Sequence, residues 1–270
     1  MTYTLGSDTS HWSGDIDFGT MYNAGARFWI TKATDAYKVT GKQFEDSKFQ
    51  TYCEDATRHG KLLKGCYHWL QCSVDPIAAA DFYLERYNQF SFEFPPILDF
   101  EEPTAYQRVH EDGTVVATHL ESDYAWRAQA WLEYVRKQTG RTPIVYTAKW
   151  FTDHLAAKQI SWMSAYPLWV ADYSWYSNNV TLKPRMPSPW KDKDPLIWQF
   201  SADGNARGPE FGITSKSIDL NMFYGSENDL RRFCGIDVPE EVPQFAPKKP
   251  TWLQKRRLLR FKNTNWPEVK

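Results

Sequence analysis

Two acidic residues stand one position apart in an apolar run, Ile97-Leu98-Asp99-Phe100-Glu101, in the 270-residue chain. If this run is a β-strand, both carboxylates point to one face, about 7 Å apart along the strand. Burial and like charge would raise the pKa of one of them, which leaves a proton donor beside an ionised partner. Glycosidic-bond hydrolysis uses such a pair and needs no cofactor. The same spacing also fits two helix caps or two salt-bridged surface residues.

Eight short apolar or β-rich runs predict the strands that would hold these acids. They are Tyr3–Gly6, Arg27–Thr31, Leu63–Trp69, Pro96–Phe100, Pro143–Tyr146, Leu168–Ala171, Leu196–Phe200 and Ser217–Leu220. Helical patterns separate the first five, and loops link the last three. Alternation of strand and helix indicates an α/β fold with a parallel sheet and helices outside. Eight strands in this length predict a TIM-like barrel that lacks helices over its last third.

Three helix signals are distinct. Phe44–His59 has a helical pattern, and Asp75-Pro76 is typical of an N-cap followed by proline at the first helical position, which opens a helix to Tyr87. Thr118 and Glu121 match a capping box, and an apolar face then continues to a stop at Gly140. A weaker signal covers Phe151–Ala157.

Acidic and aromatic residues recur where the predicted strands end, which is where barrel enzymes carry their chemistry. The acids there are Asp8, Asp99, Glu101, Asp172 and Asp219. Aromatic faces at the same places can stack on the C–H bonds of a sugar, or can simply pack in a core. The aromatic residues at or near these ends are Tyr67, Trp69, Tyr146, Trp169, Tyr173 and Trp198.

Other residues that could do chemistry are better explained by structure. His68 is expected to be a core histidine, and Trp126 and Trp131 to pack in the core from a helix. The positions of His11 and Trp12, just after Asp8, predict the rim of the site. The four cysteines are too sparse for a disulfide framework and match no common zinc spacing, so we expect reduced thiols and no metal.

The net charge of −1 conceals an uneven distribution. Residues 246–270 carry eight basic residues and one acid, which leaves −8 for residues 1–245. We therefore predict a barrel over residues 1–228, a proline-containing linker over 229–250 and a basic tail over 251–270. Near-neutrality argues against a nucleic-acid binder. The aromatic content of 16% argues against a disordered chain, and no apolar run is long enough to cross a bilayer.

Eight motifs in order, the first four at Gly6–Trp12, Phe28–Thr34, Gly65–Trp69 and Pro96–Glu101, carry a resemblance to a known family, glycoside hydrolase family 25, the Chalaropsis-type lysozymes. Gly6–Trp12 is similar to its G-x-D-x-S-x-[WY] opening, and Phe28–Thr34 to its second-strand [FV]-x-I-x-K-A-T motif. Gly65–Trp69 resembles G-x-Y-H-[FW], and Pro96–Glu101 contains L-D-x-E. Runs at 144–147, 167–171, 197–201 and 218–221 follow in the family's order. One departure is Asp35-Ala36, where the family usually has Glu-Gly.

The resemblance implies a flattened (β/α)₅β₃ barrel and hydrolysis of the β-1,4 bond between N-acetylmuramic acid and N-acetylglucosamine. It implies Glu101 as the general acid, Asp99 as its partner, and Asp8 and Asp219 as the rest of the acidic pocket. Substrate contacts are expected from Lys32, Tyr67, Tyr146, Trp169, Asp172, Tyr173 and Trp198.

The expected partner is the glycan strand of bacterial peptidoglycan. The first residues lack the basic and apolar regions of a Sec signal peptide. This favours a phage endolysin that is made in the host cytoplasm and acts on the cell wall. The basic tail is expected to contact anionic wall polymers or membrane, or else to be solvated or to form an oligomer contact. A non-catalytic glycan-binding or virion structural protein on the same scaffold is the alternative. A chitinase-like barrel is disfavoured because its D-x-x-D-x-D-x-E spacing is absent.

Overall fold

The computed structural model describes residues 2–38, 40–101, 106–109, 115–119, 121–173 and 183–238; at 106–109, 115–119, 121–123 and 205 it describes the backbone alone. Its strands, in chain order, are β1 (Tyr3–Thr9), β2 (Phe28–Ala36), β3 (Gln43–Glu45), β4 (Leu63–Trp69), β5 (Ile97–Asp99), β6 (Tyr106–Val109), β7 (Val115–His119), β8 (Ile144–Ala148), β9 (Leu168–Ala171), β10 (Ile197–Ser201) and β11 (Asp219–Tyr224).

Eight of these strands close into a barrel in the order β1-β2-β4-β5-β8-β9-β10-β11, and β11 pairs again with β1. The eight predicted strands and the TIM-like barrel are thus confirmed. Neighbours are parallel except for β11, which is antiparallel to both β1 and β10. The prediction of a parallel sheet fails there because only two short 3-10 helices, Gly204–Ala206 and Gly208–Phe211, lie between β10 and β11, and a parallel connection usually contains an α-helix.

The helices are α1 (Phe18–Asn23), α2 (Phe49–His59), α3 (Pro76–Tyr87), α4 (Glu121–Thr139), α5 (Lys149–Thr152), α6 (Ala157–Ile160) and α7 (Glu227–Phe233). The N-cap predicted at Asp75 is confirmed, since its Oδ1 accepts hydrogen bonds from the backbone N–H groups of Ile77 (2.9 Å) and Ala78 (3.0 Å). Gly140 ends α4 as predicted, with a left-handed φ of 67° that glycine adopts without strain.

Two predicted helix starts are wrong. The pattern over Phe44–His59 begins as strand β3, which pairs with β2 through Phe44 and Asp35, so the helix starts only at Phe49. Thr118 is not the residue that precedes the helix, because it lies in β7 opposite Gln107 and α4 begins only at Glu121. In both places a hairpin takes residues whose local pattern is helical, since cross-strand pairing outweighs weak local propensity.

Alternation along the strands divides the apolar residues into two layers. Phe28, Ile30, Ile97, Ile144, Trp169 and Ile197 belong to a cluster that fills the barrel interior. Trp29, Leu98, Phe100, Trp131 and Trp198 belong to the larger cluster between the barrel and the outer helices. Gly6 lets the interior layer close, because a Cβ there would lie 2.4 Å from the ring of Phe28.

The compact unit runs from Met1 to Ile236, eight residues beyond the predicted boundary at 228. The reason is helix α7, whose Leu230 is completely buried in the interior cluster. Residues 239–270, which hold the rest of the predicted linker and the basic tail, lie outside the described residues. All four cysteines are buried free thiols. In the part of the chain that is described, no helix has the length and apolar character to cross a membrane.

Candidate active site

Four acidic side chains meet at the end of the barrel where the parallel strands finish. Asp8 lies near the end of β1, Asp99 is the last residue of β5, and Glu101 follows two residues later. Asp219 is the first residue of β11, and because that strand is antiparallel, its start reaches the same end. Asp8 and Asp219 are direct partners in the β1–β11 register. The barrel thus brings together acids separated by more than 200 positions.

These acids open into one cavity of about 230 Å³. Its walls combine the acids with aromatic and amide side chains. The lining residues are Asp8, Ser10, Tyr67, Trp69, Asp99, Glu101, Tyr146, Trp169, Tyr173, Gln199 and Asp219. All four predicted acids and four of the predicted substrate-binding residues therefore line the same space.

The carboxylate of Asp8 is held by two amide side chains. Its Oδ1 accepts from Nδ2 of Asn221 at 2.7 Å and from Nε2 of Gln199 at 2.9 Å. Burial raises the pKa of Asp8 from 3.8 to about 6, and these two donors partly oppose the increase because they favour the ionised form. Asp8 therefore titrates close to neutrality.

Aromatic neighbours determine which way each amide points. The indole N–H of Trp169 can only donate, and it lies 2.8 Å from Oδ1 of Asn221, so the NH₂ group of Asn221 faces Asp8. The phenols of Tyr146 (2.8 Å) and Tyr173 (2.7 Å) both donate to Oε1 of Gln199, which turns its NH₂ group to Asp8 in the same way. The aromatic wall thus orients the donors that hold the acid.

Asp99 is the most deeply placed of the acids, at 4% exposure. Burial raises its pKa well above the usual range; the negative charge of Glu101 adds to the increase, and Lys32 opposes it. Its Oδ1 is buried and has no hydrogen-bond partner among the described residues. An unsatisfied buried carboxyl oxygen is costly, and a donor on a bound ligand would relieve that cost.

Asp219, on the cavity wall opposite Asp99, is also an acid whose pKa burial and nearby negative charges raise. Burial raises its pKa well above the ordinary value, and the charges of Asp8 and Glu101 raise it further. Burial, together with repulsion among the acids, therefore favours the protonated forms of Asp99 and Asp219. Such a cluster supplies both a proton donor and an ionised carboxylate, which is the requirement of acid–base catalysis.

Three residues predicted to bind substrate do not line the cavity. Lys32 is buried behind the wall, ion-paired with Asp35, and its Nζ lies 4.7 Å from the centre of the Trp69 ring. Asp172 is buried and binds the guanidinium of Arg185 through Oδ1 at 2.7 Å. Trp198 faces the outer layer, because it alternates with the inward Gln199, and its indole N–H donates to the backbone oxygen of Asp172.

The remaining predictions concern two histidines and two tryptophans. His68 is a core residue as predicted: its ring stacks on Trp131 at 5.8 Å, and burial lowers its pKa to about 3, so it is neutral. His11 and Trp12 follow Ser10 at the cavity edge, and Trp12 is 81% exposed. The expectation that Trp126 packs in the core is wrong, since it is 49% exposed on α4.

Gln199 and Asn221 were not predicted as site residues, although both lie within the family-like runs. Their signal is a polar residue at an inward position of a strand: Gln199 shares the inner face of β10 with Ile197, and Asn221 is fully buried in β11. Ser10 and Trp69 complete the cavity wall. Among the described residues, no group of three His, Cys, Asp or Glu side chains is arranged to hold a metal ion.

Comparison with known proteins points in one direction. The model for "Glycosyl hydrolases family 25" matches residues 7–209. The chain is 30% identical over 249 residues to the Escherichia coli (strain K12) protein named "Uncharacterized protein YegX", covering 90% of this chain and 77% of that protein. It is 27% identical over 232 residues to Lysozyme M1 of Streptomyces globisporus, covering 82% and 68%. A solved bacterial lysozyme from Streptomyces coelicolor superposes with a TM-score of 0.64 at 23% identity, covering 87% of this chain and 98% of that chain.

The buried charge of Asp8 predicts that Asp8→Asn stabilises the fold at neutral pH. Its raised pKa means that the fold favours the neutral form. The ionisation cost is therefore absent below pH 3.8, grows as the pH rises towards 6 and is complete above it. Asparagine keeps the acceptor for both amides and removes that cost. We expect a gain of about 1–3 kcal/mol at pH 7.5 and almost none at pH 4, measured by urea unfolding at both values.

Asp17→Asn is the matched control, and it should change the stability in the opposite direction. Asp17 is exposed at the start of α1, and hydrogen bonds from Thr20 and Gly19 lower its pKa. Its ionised form therefore stabilises the fold, and that variant should lose a little stability at pH 7.5. If Asp8→Asn instead lost the same stability at both pH values, ionisation of the buried Asp8 would not destabilise the fold.

Proposed function

This chain belongs to glycosyl hydrolase family 25, and from that premise we propose that it is a 1,4-β-N-acetylmuramidase of bacterial peptidoglycan. The bond cleaved joins C1 of N-acetylmuramic acid to O4 of N-acetylglucosamine. The lysozyme relative supports the activity, and the cavity supports the location. The observation that carries the proposal is the acid cluster: Asp8, Asp99, Glu101 and Asp219 line a space that is walled by aromatic rings.

Glu101 acts as the general acid. In the first step its carboxyl group donates a proton to the glycosidic oxygen, and the C1–O4 bond breaks to release the 4-hydroxyl of N-acetylglucosamine. The acetamido oxygen of the same muramic acid forms a bond to C1, which gives a cyclic oxazolinium ion. In the second step the Glu101 carboxylate takes a proton from water as the water attacks C1 and the ring opens. Glu101 is then protonated again.

Asp99 orients the acetamido group during these steps. Its buried Oδ1 lacks a partner among the described residues, and the N–H of an acetamido group is a donor of the right chemistry for it. Accepting this N–H favours the ionised form of Asp99, which opposes the pKa increase caused by burial. The negative charge then stabilises the positive oxazolinium ion. Asp8 and Asp219 add further negative charge on the cavity wall opposite Asp99.

Tyr67, Tyr146, Trp169 and Tyr173 form the wall against which the sugar stacks. Trp169 packs edge-on to Tyr146 at 4.7 Å and to Tyr67 at 6.4 Å, so the rings support one another. Flat faces of this kind contact the axial C–H bonds of a pyranose. The assembled cluster also argues against a non-catalytic scaffold, because burying several acids lowers stability and a structural protein would gain nothing from it.

The wall-binding role belongs to the basic segment at residues 246–270, with its eight cations and one acid. Cations of that density are attracted to anionic wall polymers or membrane. We place the protein among endolysins, made in the host cytoplasm and released to the wall. The compact unit that ends at Ile236 is its catalytic part, the following residues to 250 are its linker, and 251–270 are its basic tail.

Glu101→Gln should abolish hydrolysis and leave glycan binding intact. The amide has nearly the shape of the acid but cannot donate the required proton, so kcat should fall at least about 10²–10⁴-fold. Reducing ends released from purified peptidoglycan measure the rate, and mass spectrometry of the products tests for a reducing-end N-acetylmuramic acid. Glu210→Gln, at an exposed ion pair with Arg207, is the control and should keep full activity. Full lysis by Glu101→Gln would refute its role.

Asp99→Asn should lower kcat by orders of magnitude with little change in KM. The side-chain oxygen of asparagine can still accept the acetamido N–H, but the amide carries no charge with which to stabilise an oxazolinium ion. Steady-state kinetics on soluble glycan strands separate the two parameters. A rise in KM at unchanged kcat would assign Asp99 to substrate binding alone.

Deletion of residues 246–270 should weaken attachment to whole cells in a salt-dependent way. Electrostatic attraction acts over about 10 Å at 0.1 M salt and about 3 Å at 1 M, so the difference from the full chain should vanish at high salt. Cosedimentation with cells over a salt series measures it. A full-length variant with the tail lysines and arginines changed to glutamine should behave like the deletion. Equal binding by all three at every salt concentration would dismiss the role of the tail.

A further inference from the structure

We propose that Trp12 is a stacking platform for an additional sugar residue of the glycan strand, outside the catalytic cavity and next to it. The inference rests on the proposed function, because it extends the same glycan beyond the cavity. Trp12 is 81% exposed, the highest value among the described large apolar side chains. Ser10, two residues earlier, lines the cavity, so the loop that carries Trp12 begins at the cavity wall.

A buried acid holds the platform from below. The side chain of Asp46 is completely buried, and its Oδ2 lies 2.8 Å from Nδ1 of His11 and accepts the backbone N–H of His11 at 3.1 Å. The imidazole ring of His11 in turn lies 4.4 Å from the Trp12 ring, tilted by 39°. The exposed indole therefore rests on a histidine that two hydrogen bonds fix in place.

The loop that carries Trp12 is anchored on both sides. The hydroxyl of Tyr52 donates a hydrogen bond to the backbone oxygen of Gly14. The backbone N–H of Ser215 donates to the backbone oxygen of Ser13 at 3.1 Å. Gly14 has a φ of 76°, and a Cβ at that position would lie 2.1 Å from Oγ1 of Thr214. A rigid loop loses little entropy when a ligand binds, and this is the property a binding platform needs.

The size of the cavity requires binding surface outside it. At about 230 Å³ it lies below the 300–1,000 Å³ typical of pockets that enclose a drug-sized ligand. A polymeric glycan therefore has most of its sugars on the rim. An exposed indole that rests on a histidine bonded to a buried acid is suited to a pyranose face, which presents C–H bonds to the ring and hydroxyls to water.

The test compares glycans of two lengths on full-length protein. In the Glu101→Gln background, Trp12→Ala should reduce the affinity for peptide-free glycan strands of several disaccharides by about three- to tenfold. Its affinity for a single peptide-free disaccharide should not change. Isothermal titration measures both. In the active enzyme, kcat/KM on the long strands should fall by the same factor.

Three variants sharpen the result. Trp126→Ala removes another exposed tryptophan, on α4 and outside the cavity lining, and should match the parent protein on both ligands. Trp12→Phe should recover most of the affinity for long strands, and His11→Ala should lose part of it.

The outcomes separate this inference from the proposed function. If the wild type releases muramic reducing ends but Trp12→Ala binds long strands normally, only the platform is refuted. Equal losses on both lengths would place Trp12 in the cavity wall instead. A loss seen with peptide-bearing strands and absent with peptide-free ones would make the partner a peptide and overturn the sugar assignment. Failure of the wild type to cleave peptidoglycan would refute the proposed function itself.

Discussion

Two amide donors on one carboxylate oxygen make the acid cluster of this barrel possible. Asn221 and Gln199 both donate to Oδ1 of Asp8, and Trp169 and two phenols orient them. Without such donors, desolvation would drive Asp8 to its neutral form and would leave a polar group unsatisfied in an apolar interior. With them, its pKa is about 6, and both protonation states are accessible near neutrality. The inner ends of β8, β9, β10 and β11 are built around this requirement.

The direction of the closing strand has a chemical consequence. Asp219 begins β11, and only an antiparallel β11 places its first residue at the end where the parallel strands finish. In that position it faces Asp8 across the register and adds a second acid to that wall. The same strand supplies Asn221, so one short element provides both an acid and the donor that stabilises its neighbour. Topology and electrostatics are therefore determined together.

The strands could be predicted from the sequence because their alternation is strong, and the acids at their ends followed from the barrel. Trp198 lies on the outer face, as the same alternation indicates, so its aromatic character alone wrongly predicts a place in the cavity. The structural role of Asp172 could not be predicted, because its partner Arg185 lies thirteen residues later and such an ion pair leaves no local pattern. Thr118 shows the limit of capping signals: its local motif is helical, yet pairing with Gln107 takes it into a strand.

The charge of the cavity restricts the ligands that it can admit. Four acids line it, and the lysine behind its wall is already paired with Asp35, so an anionic ligand would meet repulsion with little compensation. A neutral sugar is different, because its hydroxyl and acetamido groups can donate to carboxylates and its C–H faces suit aromatic walls such as Tyr67 and Trp169. The muramic acid carboxyl, if free, would have to point away from the acids into solvent. The charge of the cavity therefore favours the neutral backbone of a glycan over an anionic ligand.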